Sequence, residues 1–375
     1  MIASRIAQVA NFVGPRSGGI RTVLGQLAEG YAAAGHDVLQ IVPGEAANCT
    51  TYAWGRRVEV PGMPMANTGY RVITAGAVAK VLAEYGPDRL EVHDRTTLRR
   101  LGLWARRRDI PACVVSHERL DRLLEQWVYG LVPTAGLADT SNRRLAENFD
   151  TVICTTAWAA AEFDRLDAVN VRLVPLGVDT QRFTPSAADP ALRERLAPHG
   201  ESLLAMVSRL SPEKRPALAI ATTKELVRRG AAVRLVIAGD GPLRPRLEAA
   251  AADLPVELLG HLSGAGEVAA LLATADVVIA PGPVETFGLA ALESVASGTP
   301  VVVNEKSALP EVIGECAGIA AAGNPAAFAD AVQTLVARKP SAHAVRAAAV
   351  KYDWAVTVSG FLDAHHLQPV TASSA

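Results

Sequence analysis

Aromatic residues make up only 5% of this 375-residue chain, so its core must be built largely from Ala, Val and Leu. Cysteine is scarce as well. Cys49, Cys113, Cys154 and Cys316 lie far apart with no Cys-x-x-Cys pair, which excludes a disulfide framework and a cysteine-clustered metal site. No apolar run approaches a membrane span, and no basic-apolar-small pattern opens the chain; the expectation is a soluble or peripheral protein of the reducing cytosol. Neither sign of charge dominates. A formal net charge of -1 argues against general nucleic-acid binding. Also missing are Asp-x-Asp, His-x-x-Glu and Gly-x-Ser-x-Gly, so neither a metal-bridged diphosphate nor a hydrolase elbow is indicated.

What is present is alternation. Short apolar strands and helical patterns alternate throughout, with strands expected at Arg5 to Ala10, Asp37 to Val42, Leu90 to Val92, Ala112 to Val115, Thr151 to Cys154 and Val171 to Val174. A second series runs Leu203 to Val207, Val233 to Ala238, Val256 to Leu258, Val277 to Ala280 and Pro300 to Val303. Such order predicts an α/β fold of two doubly wound parallel sheets. The break falls in PLGVDTQRFTPSAADP, whose prolines and Gly177 interrupt both periodicities. The expected layout is a first domain over 1–178, a linker over 179–198, a second domain over 199–351, a final helix over 352–367 and a disordered tail over 368–375.

The most informative run is PVETFGLAALESVASGTPVVV, residues 283–303. Glu285 stands in a loop, a helix opens near Gly288, and Glu293 follows two turns later on nearly the same face. Amides of Phe287, Gly288 and Leu289 are expected to be unpaired at the helix start, where they suit a phosphate. One site would then offer a carboxylate, anion-binding amides and a second carboxylate, matching the hydroxyls, phosphates and ribose of a nucleotide-sugar. Without its Phe-Gly-Leu and Ser-Gly-Thr-Pro context the run would read as two solvated glutamates on an ordinary helix. Arg209 and Lys214 follow the first strand of the second domain, where basic groups face the ligand crevice and can neutralise a diphosphate leaving group. Gly18 and Gly19 end the turn after the first strand and open a helix with Ile20, Val23, Leu24, Leu27 and Tyr31 on one face. This is not the Gly-x-Gly-x-x-Gly fingerprint, because the spacing differs.

His117 follows the strand Ala112 to Val115, and Asp94 follows Val92-His93 as a weaker candidate. A histidine there is often structural, so a ligand role competes with a capping one. Gly239-Asp240-Gly241-Pro242 reads as a strand-to-helix turn with Pro242 in the first helical position. Six arginines and no acids lie between Arg95 and Arg108. They form either a solvated helix face or a contact for anionic headgroups through Arg99, Arg100, Arg106, Arg107 and Arg108.

The run 283–303, the Arg209/Lys214 pair and the Gly18-Gly19 turn together resemble the retaining glycosyltransferases of family 4, along almost the whole chain from about Arg5 to His365. The resemblance implies the GT-B fold, two Rossmann-like domains facing a cleft with the last helix crossing back to the first domain. It implies Glu285 on sugar hydroxyls, Glu293 on the ribose, Arg209 and Lys214 on the diphosphate, His117 near the transferred sugar, and His261 and Leu262 beside the base. No metal cofactor is implied. Within the family, QVANFVGPRSGGIRTVLGQL and VVSHERLDRLL look like the phosphatidylinositol mannoside mannosyltransferases of actinobacteria. That implies GDP-mannose as donor, a mannosylated phosphatidylinositol as acceptor, and a place at the cytoplasmic face of the plasma membrane. The alternatives are a UDP-sugar with a soluble acceptor, a nucleotide-sugar epimerase, and a silent scaffold of the same fold.

Overall fold

The computed structural model describes residues 3–14, 18–65, 69–128 and 134–370. The chain divides into two units, residues 1–177 together with 354–375, and residues 178–353.

Among the described residues, the first unit holds ten strands: β1 (Arg5–Val9), β2 (Asp37–Gly44), β3 (Asn48–Tyr52), β4 (Gly55–Pro61), β5 (Met63–Pro64), β6 (Arg71–Val72), β7 (Arg89–Val92), β8 (Ala112–Ser116), β9 (Thr151–Cys154) and β10 (Val171–Leu173). Eight form one sheet in the order β10-β9-β8-β7-β1-β2-β4-β3. Every pairing in it is parallel except β3 with β4. Helices cover both faces, so the central strands are buried throughout and read as continuous apolar runs. The second unit has a six-stranded, all-parallel sheet in the order β13-β12-β11-β14-β15-β16. Its strands are β11 (Ser202–Val207), β12 (Val233–Ala238), β13 (Val256–Gly260), β14 (Val277–Ala280), β15 (Val301–Asn304) and β16 (Gly318–Ala321). The cores are aliphatic: Leu82, Leu90 and Val114 in one, Leu204, Leu235 and Val302 in the other.

Two segments differ from the sequence expectation. The hairpin β3/β4 carries NCTTY on an exposed edge strand and GRRVEVP on a half-buried neighbour, so it lacks the apolar signal on which strand recognition depends. Residues 179–198, the expected linker, hold the short helix that Ala191 to Leu196 suggests. They form a 3-10 turn Pro185–Ala187 and a helix Pro190–Leu196, with Leu196 fully buried and the Asp189 amide donating to Thr274 at 2.9 Å. Residues 368–370 of the expected tail are ordered, since the Val370 amide donates to the Ala34 carbonyl at 2.7 Å; 371–375 lie outside the described residues.

The helix Trp354–Ala364 packs within the first unit. Gly30 makes this possible: a Cβ there would fall 2.3 Å from Val358 Cγ2. Thr357 Oγ1 donates to the Pro175 carbonyl at 2.9 Å, and Arg89 Nε to the His365 carbonyl at 2.8 Å. This packing carries His365, distant in sequence, to the central strands.

Candidate active site

In the second unit the chain steps outward through β11, β12 and β13, then returns to place β14 on the other side of β11. Loops leaving the carboxyl ends of β11 and β14 diverge at this reversal, the place where open α/β sheets bind ligands. Both loops carry residues singled out by sequence. After β11 the chain closes in a 3-10 turn Pro212–Lys214. After β14 it reaches the helix Leu289–Ala296. Lys214 Nζ donates to Glu285 Oε1, joining the two loops with both side chains still partly exposed. Arg209 Nη2 meets Glu213 Oε1 at 2.8 Å, and Ser211 Oγ donates to the same oxygen at 2.6 Å.

Backbone geometry holds these loops. A Cβ on Gly239 would lie 1.8 Å from the Ser208 carbonyl oxygen, so only glycine lets this turn back the Arg209 loop. The Leu210 amide then donates to the Asp240 carbonyl at 3.0 Å and the Leu243 amide to the Leu210 carbonyl at 3.1 Å. The helix that follows begins at Arg244, so Pro242 belongs to the turn and not to the first helical position. Gly288 has φ 73°, and a Cβ there would strike Leu309 Cδ2 at 2.3 Å.

The helix start leaves several backbone amides open. Amides of Ala291 and Leu292 donate back to the Gly288 carbonyl at 3.0 and 3.2 Å. Those of Phe287, Gly288, Leu289 and Ala290 have no partner among the described residues. The Phe287 side chain is buried edge-on against Tyr352, so only its backbone is available to a ligand. Glu293, one turn into the helix, is partly buried. Burial pushes its carboxyl up to about 7, with Arg182 pulling the other way. His261 and Leu262 follow β13, and β13 is two strands away from β11. At the usual strand spacing they stand about 10 Å to one side of the Arg209 loop.

In the first unit, Gly18 caps the helix Gly19–Ala33 and accepts from the Arg21 and Thr22 amides at 3.0 and 3.3 Å. A Cβ on Gly18 would meet nothing within 4 Å. Pro15, Arg16 and Ser17 of this turn lie outside the described residues. Asp94 is structural: Oδ1 accepts from the Thr96 and Thr97 amides at 2.8 and 3.0 Å, and Oδ2 from Asn11 Nδ2 at 3.2 Å. His117 leaves β8 half-buried, its Nε2 lying 2.8 Å from His93 Nδ1. Burial and the His93 ring push His117 down to about 3, against the pull of Glu91. It is therefore a neutral imidazole at pH 7.

Sequence reasoning passes over Glu91 and His93. Both are buried at the carboxyl end of β7. An acid inside the apolar run Arg89–Val92 is a readable signal, because a buried carboxylate must find donors. Its partner His365 is not readable, being 274 residues away.

Two family profiles account for the two halves of the chain. "Glycosyl transferase 4-like domain" matches residues 18–177, and "Glycosyl transferases group 1" matches residues 189–352. A Mycobacterium tuberculosis protein described as GDP-mannose-dependent alpha-(1-6)-phosphatidylinositol dimannoside mannosyltransferase is 47% identical over 349 residues, 92% of this chain and 90% of that one. The chain belongs to the group 1 glycosyltransferases. Solved structures agree on the fold of this glycosyltransferase. Sucrose-phosphate synthase from Thermosynechococcus elongatus matches with TM-score 0.82 at 20% identity, covering 97% of this chain and 98% of that one. Anabaena HepE in complex with UDP and glucose matches with TM-score 0.73 at 17% identity, covering 96% and 98%. The glycosyltransferase therefore has the GT-B fold that its sequence resembles, and the epimerase reading falls away.

Proposed function

We propose that this enzyme transfers mannose from GDP-mannose to a phosphatidylinositol mannoside, with retention at the anomeric carbon. One observation carries the reading: 47% identity along 92% of the chain to a relative so described. The site supports it chemically. Lys214 and Arg209 neutralise the diphosphate as it departs, and the free amides at 287–290 take the phosphate oxygens. Glu285 accepts from sugar hydroxyls and Glu293 from the ribose, while backbone around His261 and Leu262 meets the base. In the first unit, Gly18 and Gly19 serve the diphosphate and His117 the transferred sugar. No metal enters this scheme, since cations and helix amides neutralise the leaving group, and front-face attack assisted by the departing phosphate replaces a protein nucleophile.

Thermal melts test the donor assignment. GDP-mannose raises the melting temperature more than UDP-sugars do, by the linkage of ligand to the folded state. The shift is larger at pH 8 than at pH 6. Ionised Glu293 accepts a ribose hydroxyl more strongly than its protonated form, and its raised pKa leaves it mostly protonated at pH 6. Affinity should thus rise about tenfold between these values, and Glu293→Gln should abolish the rise. Equal shifts from UDP-glucose, or a pH dependence surviving in the variant, would contradict the assignment.

A lipid acceptor also requires contact with a membrane surface, which we propose is peripheral and at the cytoplasmic face. Among the described residues no helix is long and apolar enough to cross a bilayer. The arginines do not form one patch. Arg99 and Arg100 stand at the start of the helix Arg100–Arg106 and Arg106, Arg107 and Arg108 at its end, about 10 Å apart. Trp104 is packed against the core with the Arg108 guanidinium 4.5 Å over its ring, so it does not reach outward. Arg99 and Arg100 lie on the carboxyl side of the first unit's sheet, the side on which His117 leaves β8. Neutralising these two should weaken sedimentation with anionic vesicles at low salt more than neutralising the other three, at about 1 kcal/mol per charge. No sedimentation at low salt would remove the membrane contact.

A further inference from the structure

Arg95 stands apart from the other arginines of its stretch. It is only 3% exposed and forms an ion pair with Glu162 of the helix Ala157–Asp164. Its Nη1 also donates to Ser116 Oγ and to the Glu118 carbonyl, both at 2.7 Å, and its Nη2 donates to Asn142 Oδ1. Glu162 is fully buried. Its second oxygen accepts from the Leu120 amide at 3.1 Å and from Asn142 Nδ2 at 2.9 Å. Asn142 therefore bridges the pair, with its oxygen toward the guanidinium and its nitrogen toward the carboxylate. Ser116 Oγ in turn donates to the Glu118 carbonyl at 3.0 Å.

These bonds converge on one short piece of backbone. Residues 116–120 leave the carboxyl end of β8 and enter the helix Leu120–Val128. Ser116 precedes His117, and Glu118 and Leu120 follow it, so both flanks of His117 are tied to the same buried pair. The next residues are held as well. Arg119 Nε and Nη2 donate to the Asp121 carboxylate at 2.9 and 2.6 Å, and Arg119 Nη1 donates to the Trp158 carbonyl at 3.0 Å. Stability alone does not call for the inner pair. Burying two charges costs desolvation that their attraction only roughly offsets, and apolar residues of similar volume hold a fold as well. What the pair adds is direction. A planar guanidinium sends its hydrogens along fixed lines, and here they end on the two residues that flank His117.

We propose that Arg95 and Glu162 are positioning residues for the transfer, fixing the backbone on either side of His117 so that its ring meets the sugar in one place. Their effect passes through His117 and is one of place alone, so it needs no particular proton on either ring nitrogen. A shift of about 1 Å in a group that orients substrate is enough to cost about 100-fold in rate. The role rests on the sugar-binding function given to His117 above.

The test is a set of conservative variants of the full chain, assayed with GDP-mannose and phosphatidylinositol dimannoside well below each melting temperature. Arg95→Lys keeps the charge but replaces the fork with one ammonium, which cannot reach Ser116, Glu118 and Asn142 together. Glu162→Asp keeps the charge and withdraws the carboxylate by one methylene, so it cannot serve both Arg95 and the Leu120 amide. Ser116→Ala removes one link and leaves the ion pair intact; it serves where the other two do not fold. In Arg95→Lys and Glu162→Asp kcat should fall about 10- to 100-fold, and less in Ser116→Ala, with the Kd for GDP unchanged. A merely structural pair would not produce the next result. In a His117→Ala background the same substitutions should lower kcat by no more than about twofold further, because groups acting as a unit are not additive. Unchanged kcat in every folded variant, or losses that multiply with that of His117→Ala, would overturn the proposal. His117→Ala as active as wild type would remove the sugar role of His117 and the positioning role with it. If the wild type moves a different sugar, the mannosyl reading fails, and the same cycle run with that sugar still decides the positioning role.

Discussion

Lys214→Ala lowers kcat/KM for mannosyl transfer about 100- to 1,000-fold while the protein still folds. The expectation comes from where Lys214 sits. Its ammonium stands at the reversal point of the second sheet, joined to Glu285, at the turn Pro212–Lys214. As the bond to the departing diphosphate stretches, negative charge grows on the leaving oxygen, and a fixed cation beside it is stabilising chiefly in that state. Lys214→Met, which keeps the stem without the charge, should be as poor. Arg209→Ala should lose less, about tenfold: its side chain is 43% exposed and shared with Glu213, so water screens it. Removing either cation breaks only a partly exposed ion pair, worth roughly 1 kcal/mol or less of stability. Steady-state kinetics beside a thermal melt separates the two effects. Near-normal turnover in Lys214→Ala would remove its diphosphate role.

Glu285→Gln should lower kcat about 100-fold and leave GDP binding nearly unchanged. The carboxylate has two accepting oxygens, one engaged by Lys214. The amide keeps the size but offers one acceptor and one donor. A hydroxyl that hydrogen-bonds to a charged acceptor loses about 1.5–3 kcal/mol when the charge is removed. GDP carries no transferred sugar, so its affinity should not sense the change. Calorimetric titration with GDP and transfer kinetics decide this, and a large loss of GDP affinity at intact kcat would reverse the roles of Glu285 and Glu293.

Much of this arrangement is legible in the amino-acid sequence. Parallel sheets announce themselves through apolar strands such as Val277–Ala280 and Val301–Asn304, because burial on both faces leaves no room for polar residues. Glu285, Lys214, Arg209 and Gly288 stand out because loops at strand ends carry chemistry in residues that packing does not require. The edge hairpin is lost because Arg56, Arg57 and Glu59 are tolerated on a strand that is only half-buried. The polar cluster around Glu91 is lost for a different reason. Its members come from β1, β2, β7, the helix Gly19–Ala33 and His365, and only the folded chain brings them to one carboxylate. A local pattern can flag Glu91 as a buried acid but cannot supply its partners.

The central claim is that the enzyme moves mannose from GDP-mannose to a phosphatidylinositol mannoside. It is tested most directly by incubating the purified protein with GDP-mannose and phosphatidylinositol dimannoside in anionic vesicles, then analysing the lipid by mass spectrometry and its anomeric configuration by NMR. The account predicts one added hexose in α linkage, GDP released in equal amount, and no product when UDP-glucose replaces GDP-mannose. A lipid left unmodified while the protein transfers sugar from a UDP-sugar to a soluble acceptor would contradict it.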